Sequence, residues 1–362
     1  MPSAYALPQV PELVTRFRSW KHPQAAHIFQ YSKLSCARSL KEVSEHEVVS
    51  RNGEFAACGG LYASWVYPGG NVERLKLVAD FYSAWVFLDD LIDNTTDMKY
   101  THDLLDDIRA RVVGSRQGHH GLDFMFRLFT HEGWHSELLG LTKAEMDLWL
   151  DCTRTLRVME AEQRIVSVEE YMSYRQTNTA MGMMYLVMLF AMPELNEDFL
   201  QLSRSSPDTL RRIFSHCGRS MGVILDLYKL NAPHAQITEY SHIVKMIQHN
   251  SNPPLNLQQA VDQSAEVFYE YEGKLAIEFA KVAAFSPGLA TAMENVHAGS
   301  ITWLNMMRGR RYVKKADSSR QPAGWIMFPL IFGGLLLITF VILRLWPSMQ
   351  YPHFLTRRSG HL

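Results

Sequence analysis

The chain has 362 residues, enough for one large domain with something smaller beside it. Its 36 Lys and Arg residues against 37 Asp and Glu residues leave a formal net charge of -1, and no basic stripe with interleaved aromatics occurs, which excludes a nucleic-acid-binding surface. The four cysteines (Cys36, Cys58, Cys152, Cys217) show neither CxxC nor zinc-ligand spacing, which excludes a disulfide scaffold and fits a reducing compartment.

The N-terminal stretch MPSAYALPQVPELVTRF has no charged region followed by an apolar run, so no signal peptide is expected. Residues 1–24 are punctuated by prolines and read as a loose arm. From 25 to 315 almost every segment has helical spacing. The breaks are YPGGN (67–71), GSRQGHHG (114–121), MPELNED (192–198) and QHNSNPPLN (248–256). No alternating strand pattern and no internal repeat appears. The prediction is an all-α protein: a single helical domain over 25–315, a polar linker over 316–324, and a further helix beyond it. His119 and His120 sit in a Gly-flanked polar loop without partners at ligand spacing, and a surface turn explains them.

Residues 80–97, DFYSAWVFLDDLIDNTTD, carry Phe81, Trp85, Leu88 and Ile92 at helical spacing. Asp89 and Asp93 lie one turn apart on one face, with Asp90 beside them. Like charges repel at that spacing, and here they adjoin large aromatics, so a cation is needed to compensate them. Oxygen donors alone suit a hard divalent ion such as Mg2+, which completes its shell with water and substrate phosphates. A solvated acidic helix end is the other reading.

Residues 167–182, SVEEYMSYRQTNTAMG, open on a capping box of Ser167 and Glu170. Tyr171 and Arg175 then share a face, with Thr179 one turn further. Arg175 is either a surface residue or a guanidinium aimed inward at an anion, for which its planar fork is suited. Further on come VILDLYKLNAP (223–233), with Asp226 and Lys229, and HAGSITWLNMMRGRRY (297–312), with Trp303, Arg311 and Tyr312.

The C-terminal stretch WIMFPLIFGGLLLITFVILRLW, 325–346, carries one charge, Arg344. As a helix it spans roughly 33 Å, enough for a bilayer core of about 30 Å. Tryptophans bracket it, and few soluble helices are apolar all round over this length. It reads as a transmembrane helix with a short tail, 347–362. Arg308, Arg310, Arg311, Lys314, Lys315 and Arg320 precede it, against Arg357 and Arg358 after it, which puts the large domain on the cytosolic side. A tail anchor in the endoplasmic reticulum is expected.

Taken together these segments resemble the class I terpene synthases, in particular microbial and fungal sesquiterpene synthases. The DDxxD motif is written Asp89-Asp90-Leu91-Ile92-Asp93, preceded by a Tyr67-Pro68 turn and by Asp80 and Trp85 on the same helix. The resemblance implies a helical bundle holding two or three Mg2+ ions on Asp89, Asp90, Asp93 and Asp226. It implies Arg175 as diphosphate sensor, Asn178 as linker, Thr179 at the helix break, and Arg311 and Tyr312 on the diphosphate. Phe81, Trp85 and Trp303 are expected in the pocket. The family's second metal motif, NDxxSxxxE, is degraded: Leu225, Lys229 and Pro233 stand at its ligand positions. Lys229 then either supplies part of the missing positive charge to the diphosphate, or marks a helix that has drifted from its role.

The activity implied is that of a terpene cyclase, a carbon–oxygen lyase of isoprenoid secondary metabolism. It would ionise and cyclise an isoprenyl diphosphate, farnesyl or geranylgeranyl, with farnesyl favoured by the single-domain length. The alternatives are prenyl transfer or trapping of a terpenyl cation by another nucleophile, with other pathway enzymes as partners, and a catalytically silent cyclase-like scaffold.

Overall fold

The structure is a computed structural model that describes residues 8–40, 51, 53–114, 122–230 and 242–311. Its regular elements are helices in the order α1 (Ala25–Ser39), a π-turn (Ala57–Leu61) running into α2 (Tyr62–Val66), α3 (Val72–Asp93), α4 (Met98–Val112), α5 (Asp123–Thr130), α6 (Ser136–Ala161), α7 (Val168–Asn178), α8 (Met181–Ala191), α9 (Asn196–Ser205), α10 (Pro207–Lys229), α11 (Ile243–Asn250), α12 (Leu257–Phe285) and α13 (Pro287–Arg311). The all-α expectation therefore holds for the described residues.

Local chemistry sets the helix starts. Asn71 caps α3 by accepting from the N–H groups of Glu73 and Arg74, and Ser167 caps α7 by accepting from Glu170 N–H. Asn256 and Gln259 form a reciprocal capping box at α12. The centre of the bundle is α10, which packs against α7, α8, α11, α12 and α13. Gly218 allows the closest of these approaches, because a Cβ there would lie 2.1 Å from the Gln176 carbonyl oxygen on α7. On the other side, Gly59 in the π-turn lets α3 come equally near, with Ala79 O only 2.3 Å from where a Cβ would stand.

Residues 8–20 are not a loose arm. They run across α12, α13 and the end of α10, and Leu13 is fully buried. Leu13 N–H donates to the Tyr228 hydroxyl, and Asn305 Nδ2 donates to Leu13 O at 3.0 Å. Thr15 Oγ1 and Arg16 N–H both donate to Glu272 Oε2, and Trp20 N–H donates to Asn295 Oδ1. Composition alone misses this because the contacts join the first twenty residues to residues far along the chain. Beneath the arm, His297 donates to Glu272 in a fully buried pair.

The expected linker, transmembrane helix 325–346 and tail lie outside the described residues. Among the described residues no helix is long and apolar enough to cross a membrane. The most uniformly apolar described helix, α8, has 11 residues, about 16 Å, and is buried within the bundle. The tail-anchored placement in the endoplasmic reticulum is corrected accordingly.

Burial works against charge on His297, but the influence of Cys217 and Glu272 outweighs it and raises its pKa to about 10. Burial likewise opposes charge on Glu272, yet His297, Thr15 and Arg16 bring it below its ordinary 4.5. The carboxylate's contribution is present above 4.5 and is lost as pH falls below it. The imidazolium's is present below 6.5 and fades as pH climbs towards 10. Thermal denaturation should therefore show a Tm plateau from this pair between about pH 4.5 and 6.5, falling on either side. The double variant Glu272→Gln/His297→Gln should show a flatter profile. A single Glu272→Gln change should cost about 3 kcal/mol in urea denaturation, because it breaks the buried pair and removes a counter-charge that holds the proton on His297.

Candidate active site

The last two turns of α3 bring its acidic residues to the mouth of a cavity of about 160 Å³. Asp89 and Asp93 line it. Asp90 does not, being buried and paired with Arg51 at 2.7 Å. The three aspartates thus divide between two faces, as a helical step of 100° requires. Asp80, further back on α3, is fully buried and held by Arg127 and Tyr31. Of the expected pocket aromatics, Trp85 lines the cavity and packs on Trp149. Phe81 does not reach it: it lies fully buried behind Trp85, against Tyr82 and Phe129, and is a core residue.

Opposite α3, the cavity is lined from α7 and α10. Helix α7 ends at Asn178, and the chain turns through Ala180, whose φ of 58° is left-handed, before α8 begins. This break sits at the expected Thr179. Arg175 is buried, and its guanidinium donates to Asp226 Oδ1 at 2.7 Å and to Asn178 Oδ1. Asn178 Nδ2 in turn donates to Thr153 Oγ1 on α6 at 3.0 Å, and Thr179 Oγ1 to Gly218 O.

Asp226, expected as a metal ligand, is engaged otherwise. Besides Arg175, its Oδ2 accepts from the Tyr171 hydroxyl at 2.8 Å and from Ile243 N–H at 3.0 Å. A carboxylate held by a guanidinium, a phenol and a backbone amide is the counter-ion of Arg175 rather than an available donor to a cation. One turn along α10, Leu225 and Lys229 line the cavity, and Lys229 Nζ donates across the mouth to Asp93 Oδ2 at 2.9 Å.

One cation in this site escaped the sequence reading. Arg157 on α6 lines the cavity, buried, and donates to Glu160 Oε2 and to Thr95 O, both at 2.6 Å. Its signal in the sequence is faint: Thr153, Arg157 and Glu160 share one face of α6, a polar stripe among apolar neighbours.

Beneath the polar cavity lies an apolar chamber of about 110 Å³. Trp85, Asp89, Thr179, Met184 and Leu225 line both spaces. Trp303 lines the chamber as expected, its indole N–H donating to Ala57 O in the π-turn. The chamber's phenols are occupied: Tyr62 OH is bonded to Ser300 Oγ at 2.9 Å, and Tyr82 OH to Tyr67 OH, which donates to Met184 O. Burial pushes all three phenols above the ordinary tyrosine range, so they stay protonated.

Among the described residues no group of three or more His, Cys, Asp or Glu side chains gathers to hold a metal. The two walls differ in their donors. Asp89 and Asp93 fit an ion that takes further ligands from water and a phosphate. Leu225 and Lys229 supply no donor to one. The side chain of Arg311, together with Tyr312, Pro233, His119 and His120, lies outside the described residues.

Residues 80–272 match the family described as "Terpene synthase family 2, C-terminal metal binding". The chain belongs to the terpene synthase family. Solved structures of the same fold include hedycaryol synthase in complex with nerolidol, at 12% identity and TM-score 0.65, covering 82% of this chain and 99% of that one. Another is the SVS_A2 protein from ancestral sequence reconstruction, at 13% identity and TM-score 0.67, covering 85% and 92%. A comparison with curated proteins returns no significant match. At these identities the solved structures show the terpene synthase fold, while the family match carries the description of a metal-binding domain.

If Asp226 serves Arg175, Asp226→Asn should destabilise the protein by about 3 kcal/mol in chemical denaturation, since Arg175 keeps its buried charge. The same substitution should leave Mn2+ affinity, followed by electron paramagnetic resonance, close to wild type. Asp89→Asn should do the reverse.

Proposed function

We propose that this chain is a terpene cyclase that ionises a prenyl diphosphate, farnesyl diphosphate being the favoured substrate, and cyclises the resulting cation. The observation that carries this reading is the junction of the two spaces: a charged cavity and an aromatic chamber share five lining residues. A molecule with an anionic head and a hydrocarbon tail fits that shape, with its labile bond near Asp89 and Thr179.

Arg175 binds the diphosphate, its fork pre-oriented by Asp226 and Asn178. Mg2+ held by Asp89 and Asp93 would neutralise the leaving group, supplying electrostatic stabilisation as its oxygens gain charge. When the carbon–oxygen bond breaks, the electron pair departs with the diphosphate and the allylic carbon is left cationic. Trp85 and Trp303 offer ring faces to that charge, and the chamber excludes water while the chain folds on itself. Loss of a proton to the released diphosphate, either directly from the cation or after one admitted water has added to it, ends the sequence.

The test uses the full chain with farnesyl and geranylgeranyl diphosphate, with and without Mg2+, following released diphosphate and volatile products together. Mg2+-dependent diphosphate release with a cyclic terpene is the expected result, with Arg175→Ala lowering kcat by about 100-fold or more. Diphosphate release without a cyclic product would favour transfer to another nucleophile. No release from either substrate would overturn the assignment.

A further inference from the structure

The second wall of the cavity disagrees with the metal set that the family pattern implies, and the disagreement is chemically coherent. On α10 the side chains lining the cavity at one-turn spacing are Leu225 and Lys229. Neither can ligate a divalent ion, the first for want of a donor and the second because it is an ammonium. The adjoining carboxylate, Asp226, is held by Arg175, Tyr171 and Ile243 N–H. We infer that Lys229, with Arg157 on α6, forms a metal-independent diphosphate subsite that replaces one divalent ion with permanent cations. The inference rests on the diphosphate reading above and refines it.

Charge balance supports it. The described residues lining the cavity include four carboxylates (Asp89, Asp93, Glu160, Asp226) and three cations (Arg157, Arg175, Lys229). Their formal sum is one negative charge. A fully ionised prenyl diphosphate adds about three more. For these described groups two divalent ions cancel that total, whereas three would leave them an excess of two positive charges. Exchanging the lysine for a neutral donor and adding one carboxylate would restore the balance for three ions. The lysine and the missing ligands are thus two sides of one change.

Geometry agrees with the arithmetic. Arg157 and Arg175 are buried, and Lys229 is only 16% exposed, so their charges are poorly screened. In the structure each cation is paired: Arg157 with Glu160, Arg175 with Asp226 and Lys229 with Asp93. Lys229 is tied across the cavity mouth to a residue of the opposite, metal-facing wall. A diphosphate entering between α3 and α10 takes over the ammonium, which leaves Asp93 to a metal ion. Lysine suits that exchange, being a point charge on a long stem rather than a fixed fork.

The test is calorimetric titration of inorganic diphosphate into the full chain in the presence of a chelator. Wild type should bind without metal. Lys229→Gln should weaken that binding by about tenfold or more, while Lys229→Arg keeps it within about threefold. Asp93→Asn, which removes the competing carboxylate, should tighten it, a change opposite in sign to any general loss of structure. In a companion experiment, Mn2+ bound with inorganic diphosphate, counted by electron paramagnetic resonance, should come to two ions per chain. Absence of metal-free binding, equal binding by Lys229→Gln, or a count of three ions would overturn the inference. Because these are binding measurements, they separate its failure from that of the cyclase assignment, which is read in product formation.

Discussion

The buried pair of Arg175 and Asp226 is the constraint on which the rest of the site depends. Two charges withdrawn from water carry a desolvation cost of several kcal/mol each, and only good geometry with further hydrogen bonds offsets it. Here the further bonds come from three helices: Asn178 and, a turn earlier, Tyr171 on α7 itself, Thr153 on α6 behind it, and the first amide of α11. The pair therefore fixes α6, α7, α10 and α11 relative to one another. It requires α7 and α10 to be nearly in backbone contact, which Gly218 permits. Once that crossing is set, the turn through Ala180 and the entry of α8 into the core follow.

From this anchor the site acquires two unlike walls. Helix α3 presents carboxylates and helix α10 presents a leucine and a lysine, so the electric field across the mouth is directional. The floor is apolar, and its phenols are bonded to one another, to Ser300 and to a backbone carbonyl. A cationic hydrocarbon held there meets aromatic faces and hydroxyls already engaged with other groups. The polar and apolar spaces meet at Trp85, Asp89, Thr179, Met184 and Leu225, where charge separation would begin.

Much of this could be read from residue order alone, because much of it is local. The helical repeat places Asp89 and Asp93 together, and the capping residue Ser167 marks the start of the helix that carries Arg175; Asp90, expected beside them as a further ligand, turns to Arg51 instead. The failures share a cause: each depends on contacts between residues remote in sequence. Phe81 follows the same periodicity as Trp85, but only the packing of α5 shows that it faces Phe129. Asp226 resembles a ligand until the approach of α7 and α11 occupies its oxygens. Arg157 sits on a helix that no motif singled out. The proline-rich beginning of the chain looks unstructured until Glu272, Asn295 and Asn305 are brought beneath it. Family resemblance located the motif positions, while the donors each residue meets had to come from the packing.

That docked N-terminal segment has a consequence for biosynthesis. Leu13 and Asn305 are bonded across a separation of 292 residues, and Trp20 reaches Asn295 across 275. At ribosomal rates of about 5–20 residues per second, its partners on α13 emerge roughly 15–60 seconds after the segment itself. Until α13 is made, Leu13 lacks its bond from Asn305 and Glu272 lacks the one from His297. The part made first therefore cannot complete its docking until α13 is available, with its other contacts on the turn of α10 that ends in Tyr228 and Lys229.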